Sequence, residues 1–252
     1  MEGILWEISD EERIISARLN RPKANVLDAK MIAALHCGLE ARVSKHTHAL
    51  ILGHEGPNFS YGASVAEHQE ESVAFMLASF HDLFRYLEKL AIPILCSVSG
   101  MCLGGGFELA AFCHFLFVHP ESKLGQPEIK LGVFPPMASL ILSYKNPMVA
   151  NEMNLTGRNL SGTELADRGL VTALSEDPWN AALGYARQHL LDKSGTSLRM
   201  AVRANRLRFA RALAEDLPKL EQLYLCELMQ TNDAREGINS FLEKRQPRWR
   251  DE

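Results

Sequence analysis

The chain has 252 residues, of which 46% are hydrophobic and 23% are charged, and its formal net charge is -4 at pH 7. This composition is that of an ordinary globular protein whose core is large enough to fold without a disulfide or a bound metal. The mildly acidic balance argues against a nucleic-acid footprint over the whole domain.

Two features of the sequence bear on the compartment. The N-terminus lacks a basic region followed by an apolar run, and no stretch approaches the roughly 18 uninterrupted apolar residues of a membrane span. The cysteines are odd in number, scattered, mostly within apolar runs and without a Cys-x-x-Cys pair; they are Cys37, Cys96, Cys102, Cys113 and Cys226. We therefore predict buried thiols, a reducing, cytoplasmic location and no membrane partner.

The first half of the chain alternates between strand and helix patterns. Strands are predicted at residues 4–8, 13–19, 49–52 and 92–98, and a helix at 73–90. Asp28 is a plausible N-cap for a further helix that ends at Arg42. This alternation indicates parallel βαβ units and an α/β fold.

From Pro136 onward the apolar spacing becomes helical, and we expect only one short β-branched run, at 170–172. The tail also carries many leucines, more than a detached helix would tolerate, namely Leu217, Leu220, Leu223, Leu225 and Leu228.

Three consecutive glycines, Gly104 to Gly106, follow a predicted buried strand and precede a helix. Glycine lets backbone N–H groups approach a ligand closely, and a helix N-terminus favours negative charge. The pattern suits a phosphate cradle, an oxyanion hole or merely a tight crossing from strand to helix. A dinucleotide fingerprint is disfavoured because Leu109 stands where its third glycine belongs. The serine-hydrolase frame Gly-x-Ser-x-Gly is missing around Ser97 and Ser99.

Three segments together resemble the enoyl-CoA hydratase/isomerase (crotonase) superfamily: 57–64 (PNFSYGAS), 103–110 (LGGGFELA) and 124–133 (LGQPEIKLGV). Weaker similarity runs in order over nearly the whole chain, at 19–24, 155–158, 166–171, 236–237 and 241–245. The resemblance implies an α/β, ClpP/crotonase-like spiral of ββα units. Residues 1–190 would form the crotonase core, and residues 191–252 a helical C-terminal region at the subunit interfaces of a homotrimer or of a hexamer made from two trimers.

The resemblance also implies a site. The backbone N–H groups of Ala63 and Gly105 would hold the thioester oxygen, and such donors can each supply about 3–4 kcal/mol to an oxyanion. Glu128 would be the principal proton donor and acceptor, while Glu108 would position and activate water. No metal or redox cofactor is expected. Coenzyme A enters the reaction as part of the thioester substrate. The residues expected to bind substrate or coenzyme A are Lys23, Ala24, Ser60, Gly62, Ala63, Gly104, Gly105 and Pro136.

Members of the superfamily that keep both glutamates are hydratases, so hydration or the reverse dehydration is expected. Segments 21–29, 54–65 and 131–136 are most similar to the cyclohexa-1,5-diene-1-carbonyl-CoA hydratases of anaerobic benzoyl-CoA degradation, which add water 1,4 to a cyclic dienoyl thioester. Departures from the common pattern at Ser64, Ala66 and Pro136 favour a specialised substrate. A generic enoyl-CoA hydratase or isomerase of fatty-acid metabolism remains an alternative.

A non-catalytic or RNA-binding member of the fold is the other alternative. It would use the basic helix that carries Arg199, Arg203, Arg206, Arg208 and Arg211. A solvated or intersubunit face is favoured over RNA or coenzyme A phosphates for this helix, since Phe209 is the one aromatic residue among these arginines. His46 and His48 have no third ligand nearby, which disfavours a metal site. His114 is expected to serve packing or a polar network.

Overall fold

The computed structural model describes residues 3–69 and 71–252. The strands are β1 (Ile4–Ser9), β2 (Ile14–Leu19), β3 (Ala49–His54), β4 (Ile94–Val98), β5 (Met101–Leu103), β6 (Phe115–Val118), β7 (Lys123–Gly125), β8 (Asn159–Ser161) and β9 (Ala173–Leu174). The α-helices are α1 (Ala29–Arg42), α2 (Val73–Leu90), α3 (Gly105–Phe112), α4 (Pro136–Lys145), α5 (Pro147–Thr156), α6 (Gly162–Asp167), α7 (Pro178–His189), α8 (Gly195–Glu215), α9 (Leu217–Gln222) and α10 (Asn232–Leu242). Short 3-10 turns cover Val65–His68, Glu128–Leu131 and Leu228–Gln230, and a π-helical turn covers Leu223–Glu227.

Two sheets organise the chain. The larger has the strand order β1-β2-β3-β4-β6-β9, and the smaller has the order β5-β7-β8. Strands β2, β3, β4, β6 and β9 run parallel, while β1 pairs antiparallel with β2. The expected α/β fold is confirmed. Because β4 leads directly into β5 and then into α3, the chain leaves the large sheet just before the glycines and enters the small sheet beside them.

The predicted boundaries in the first half agree closely with the structure. Helix α1 begins after Asp28, whose carboxylate accepts a hydrogen bond of 2.8 Å from the amide of Met31, and the helix ends at Arg42 as expected. In the helical second half, strand β8 was not predicted, and β9 lies just after the run expected at 170–172. These strands have only three and two residues, too few to show a period, and it is pairing with β7 and β6 that defines them.

The main core lies between the large sheet and the helices. All five residues of β4 are buried, as a strand covered on both faces must be. Three cysteines are buried there, but Cys37 and Cys226 are exposed, so the prediction of buried thiols is wrong for those two. Cys37 lies on the outer face of α1. A surface helix buries only one face, so some residues of an apolar segment still face solvent.

The C-terminal helices pack on the core of their own chain. Phe209, Leu213 and Leu217 belong to the main core cluster. A separate cluster joins the end of the chain to α2 and to the loop before α4; its buried members are Val73, Met76, Leu77, Val133, Tyr224, Met229, Ala234 and Ile238. Packing of this region against other subunits stays a prediction. Within residues 3–69 and 71–252, no helix is long and apolar enough to cross a membrane.

Candidate active site

A small cavity of about 70 Å³ lies where α2, the start of α3, the turn after β7 and the C-terminal segment meet. Its wall includes both predicted glutamates and both residues of the predicted oxyanion hole, Glu108, Glu128, Ala63 and Gly105. The fold therefore brings together four positions from three separate segments of the sequence.

The two amides of the predicted oxyanion hole lie side by side. A Cβ atom on Gly105 would come within 3.3 Å of the backbone nitrogen of Ala63, and one on Gly62 within 2.7 Å of the carbonyl oxygen of Leu103. Side chains at these glycines would separate the two segments. Among the described residues, neither the Ala63 nor the Gly105 amide donates a hydrogen bond to a backbone acceptor. Two free donors beside one cavity are suited to hold an oxygen that gains negative charge.

Ser60 fixes the turn that presents Ala63. Its buried hydroxyl donates a 2.7 Å hydrogen bond to the carbonyl oxygen of Asn25 and accepts one of 3.0 Å from the amide of Gly62. The side chain of Asn25 in turn donates to the carbonyl oxygens of Glu55 and Asn58. The conformation of the turn thus depends on a buried polar network.

Glu108 lies on α3, three residues after Gly105, and only 4% of its surface is exposed. One carboxylate oxygen accepts a 2.7 Å hydrogen bond from the amide of Ala138, in the first turn of α4. Burial raises the pKa of the carboxyl group to about 7, while the amides of Ala138 and Met137 act in the opposite direction. Glu108 therefore changes its charge close to neutral pH.

Glu128 begins the 3-10 turn Glu128–Leu131, and its carboxyl group fills the space left by the missing side chain of Gly104. A Cβ atom on Gly104 would lie 2.5 Å from one carboxylate oxygen. Gln126, with its amide nitrogen oriented toward Glu128, donates to the two oxygens at 3.0 and 3.2 Å. Burial, followed by repulsion from Glu108, raises the pKa of Glu128 well above its ordinary value.

Repulsion between the two carboxylates disfavours the state in which both are ionised, so one carboxyl group can accept a proton while the other keeps its own. Since the groups repel each other, the two titrations are coupled and belong to the pair. A base and an acid beside two free amides can add a proton and a nucleophile to a polarised double bond.

Four residues expected to bind substrate or coenzyme A do not line this cavity: Lys23, Ala24, Ser60 and Pro136. Ala24 accepts a hydrogen bond from the amide of Tyr61, and Lys23 accepts one from the side chain of Asn58, so both brace the turn before Ala63. Pro136 is the first residue of α4, where a missing N–H costs nothing, and its neighbour Pro135 lines the cavity instead. Their contribution to binding stays a prediction.

Several residues of the site were not singled out from the sequence. Gln126 lies in a quoted motif, but its bond to Glu128 could not be read from spacing. Phe80, His81, Phe134 and Tyr224 also line the cavity. Phe80, His81 and Tyr224 lie on a helix or a turn whose pattern indicates only core packing, and no local signal distinguishes these three from other buried residues. Phe134 lies in the quoted segment 131–136, but nothing there marked its side chain.

The arginine-rich helix α8 is partly committed to the interior of the protein. Arg206 forms an ion pair of 2.7 Å with Glu88 and donates to the carbonyl oxygen of Phe112, the last residue of α3. Arg199 donates to the carbonyl oxygens of Leu90, Ser44 and Thr47. The helix is thus not a purely solvated face, and fewer of its guanidinium groups are free to contact phosphates.

Residues 3–69 and 71–252 contain no group of three or more His, Cys, Asp or Glu residues placed to hold a metal. His114 accepts a 3.0 Å hydrogen bond from the amide of Ile94, which confirms its place in a polar network.

The fold and the paired glutamates define the class of the protein as a crotonase-type hydro-lyase. Residues 9–252 match the model of the family described as Enoyl-CoA hydratase/isomerase, and the chain belongs to this family. It is 44% identical to cyclohexa-1,5-dienecarbonyl-CoA hydratase of Thauera aromatica, over 94% of this chain and 92% of that protein. It is 32% identical to a probable enoyl-CoA hydratase of Mycobacterium leprae (strain TN), with coverages of 94% and 95%. A crystal structure of an enoyl-CoA hydratase from Mycobacterium avium superposes with a TM-score of 0.87 at 24% identity, over 99% of this chain and 100% of that one.

Proposed function

We propose that this protein hydrates a conjugated acyl-CoA thioester, with cyclohexa-1,5-diene-1-carbonyl-CoA as its substrate in anaerobic benzoyl-CoA degradation. The observation that carries the reaction type is the pair of glutamates with raised pKa values beside the free amides of Ala63 and Gly105. The identity of 44% to the Thauera aromatica enzyme favours the cyclic substrate.

In this mechanism the thioester oxygen accepts hydrogen bonds from the amides of Ala63 and Gly105. Ionised Glu108 takes a proton from water, and the oxygen of that water forms a bond to the β-carbon. The electrons of the double bond move toward the thioester oxygen, where the two amides stabilise the enolate. Protonated Glu128 then donates its proton to carbon. In a 1,4 addition, this new C–H bond forms at the far end of the diene.

The surroundings of the cavity favour a flat, apolar acyl group. Phe80, Phe134 and Pro135 contribute apolar surface beside the carboxyl groups. An apolar wall also excludes water that is not held by a polar group, which strengthens the electrostatic interactions in the site. The reaction as proposed uses no metal and no redox cofactor.

Glu128→Gln tests the role of the acid, because the amide keeps the shape of the side chain but cannot supply its proton. We expect kcat for hydration to fall by roughly 10²–10⁴-fold. The exposed Glu121, in the loop before β7, provides the matched control, since Glu121→Gln should leave the rate unchanged. Hydration by Glu128→Gln at the wild-type rate would contradict the proposed proton transfer.

The same assay decides the substrate. Rates of the wild-type protein on crotonyl-CoA and on cyclohexa-1,5-diene-1-carbonyl-CoA are compared side by side. A higher kcat/KM on the cyclic thioester is the expected result. A preference for crotonyl-CoA would favour the straight-chain enoyl-CoA hydratase instead, and hydration of neither thioester would refute the proposed function.

A further inference from the structure

The cavity contains a buried hydroxyl group to which no part of the proposed reaction has been assigned. Tyr224 lies in the π-helical turn Leu223–Glu227, with 1% of its surface exposed, and its ring packs edge-on against Phe134 at a centroid distance of 5.4 Å. Its hydroxyl oxygen has no hydrogen-bond partner within residues 3–69 and 71–252. Phenylalanine would pack as well at this position without burying an unpartnered polar atom.

The electrostatic surroundings indicate what the missing partner is. Burial, then Glu128 and then Glu108 raise the pKa of the Tyr224 hydroxyl, so the phenol keeps its proton throughout the range in which the glutamates titrate. A protonated phenol is a hydrogen-bond donor. The charges that influence it most are the two carboxyl groups between which the water of the reaction must lie.

The segment that carries Tyr224 is fastened to α2. Glu221, three residues earlier, accepts a hydrogen bond of 2.7 Å from Nδ1 of the buried His81 and another of 2.9 Å from Arg85. Residues three apart on a helix lie on the same side. The ion pair therefore holds the Tyr224 side of the segment against the cavity. The π-helical geometry agrees with such a task, since π-bulges occur frequently at functional sites.

We propose that Tyr224 is a further catalytic residue, whose hydroxyl donates a hydrogen bond to the oxygen of the attacking water and to the β-hydroxyl group that this water becomes. The inference rests on the proposed hydratase function. Water offers one hydrogen to Glu108 and one lone pair to the β-carbon, and its second lone pair accepts from Tyr224. In the reverse direction, the same bond stabilises the departing hydroxyl group.

A binding measurement tests the inference without requiring turnover. 3-Hydroxybutyryl-CoA carries the β-hydroxyl group and butyryl-CoA lacks it, so the ratio of their dissociation constants measures recognition of this group. We expect the wild-type protein to bind the hydroxyacyl thioester about 10-fold more tightly, and Tyr224→Phe to lose this preference. Tyr144→Phe is the matched control because Tyr144 is 45% exposed and lies outside the cavity. An unchanged ratio in Tyr224→Phe would overturn the inference.

Kinetics on the better of the two thioesters distinguish this function from a structural one. Tyr224→Phe should lower kcat about 10-fold or more with little change in KM or in the melting temperature, and without moving the limbs of the pH profile. If the variant keeps kcat and instead shifts the alkaline limb, the partner of Tyr224 is Glu128 and the inference is wrong. If wild-type protein hydrates neither thioester, the proposed function fails, while the binding ratio still decides the part played by Tyr224.

Discussion

Glu108 and Glu128 carry the same functional group, but their surroundings differ. Glu108 accepts amide hydrogen bonds at the start of α4, which favour its ionised form. Glu128 instead faces the side chain of Gln126, and repulsion from Glu108 adds to the effect of burial on its pKa. The two acids thus differ in their hydrogen-bond partners, although both are carboxyl groups with similar intrinsic pKa values.

The paired carboxyl groups predict a bell-shaped dependence of the hydration rate on pH. The rate should rise with pH as Glu108 loses its proton, with an apparent pKa of about 7, and fall again where the pair of carboxyl groups has lost both protons. Initial rates measured across the pH range check this. Glu108→Gln should abolish the rising limb along with most of the activity, whereas Glu121→Gln should retain the whole profile. A hydration rate that does not change over roughly one pH unit on either side of neutrality would contradict the assignment of Glu108 as the base.

Helix α3 carries the base, Glu108, and helix α10 supports the turn that carries the acid, Glu128. The C-terminal carbonyl groups of α3 accept hydrogen bonds from Arg206 and from the ammonium group of Lys145, which lies 2.8 Å from the oxygen of Cys113. Cations at this end complement the helix dipole. Helix α10 lies directly on the turn that carries Glu128, and Gly237 allows the close approach because a Cβ atom there would overlap the backbone of Leu131.

Gly237→Ala should therefore displace the turn of Glu128 from α10. We expect a loss of about 1–3 kcal/mol in the free energy of unfolding, together with a large fall in the hydration rate. Denaturant unfolding and initial rates measure the two effects. Gly184→Ala is the control, since a Cβ atom on Gly184 meets nothing within 4 Å in the middle of α7. That variant should gain about 0.5–1 kcal/mol and keep full activity. Equal stability and equal hydration rates in the two variants would refute the proposed role of the contact between Gly237 and the turn of Glu128.

At the scale of the whole molecule, the site joins distant parts of the chain. The turn at Ala63, helices α2 and α3 and the C-terminal segment all contribute to one cavity. Burying two carboxyl groups there has a consequence for stability. The pKa of Glu108 rises from 4.5 to about 7 in the folded protein, so the folded protein binds this proton more tightly than the unfolded chain does.

The contribution of Glu108 to stability is consequently fully present below pH 4.5 and is lost as the pH rises through about 7. Above pH 7 its ionisation opposes folding by roughly 3 kcal/mol. Glu108→Gln keeps an acceptor for the Ala138 amide but cannot ionise, so it should be more stable than the wild-type protein at pH 8. Melting temperatures at pH 4 and pH 8 test this. A stability difference between Glu108→Gln and the wild-type protein that is the same at both pH values would contradict the prediction.

The sequence by itself determined the α/β class, the bounds of α1 and α2 and the family, and it named four residues that the fold brings to one cavity. These features are local: caps and periodic patterns depend on near neighbours, and the glycine, alanine and glutamate positions lie within short motifs. It did not reveal strand β8, the exact position of β9, the exposed thiols or the internal bonds of the basic helix.

Only the tertiary structure decided how the site works. The raised pKa values of Glu108 and Glu128 depend on burial and on neighbouring groups in space, which no spacing encodes. Tyr224 is far from Glu128 in the sequence, within a segment whose pattern indicates packing alone. Its nearness to the glutamates arises when the end of the chain folds back on α2. Electrostatic interactions depend on distance and burial in space, and both are fixed only when the core has formed.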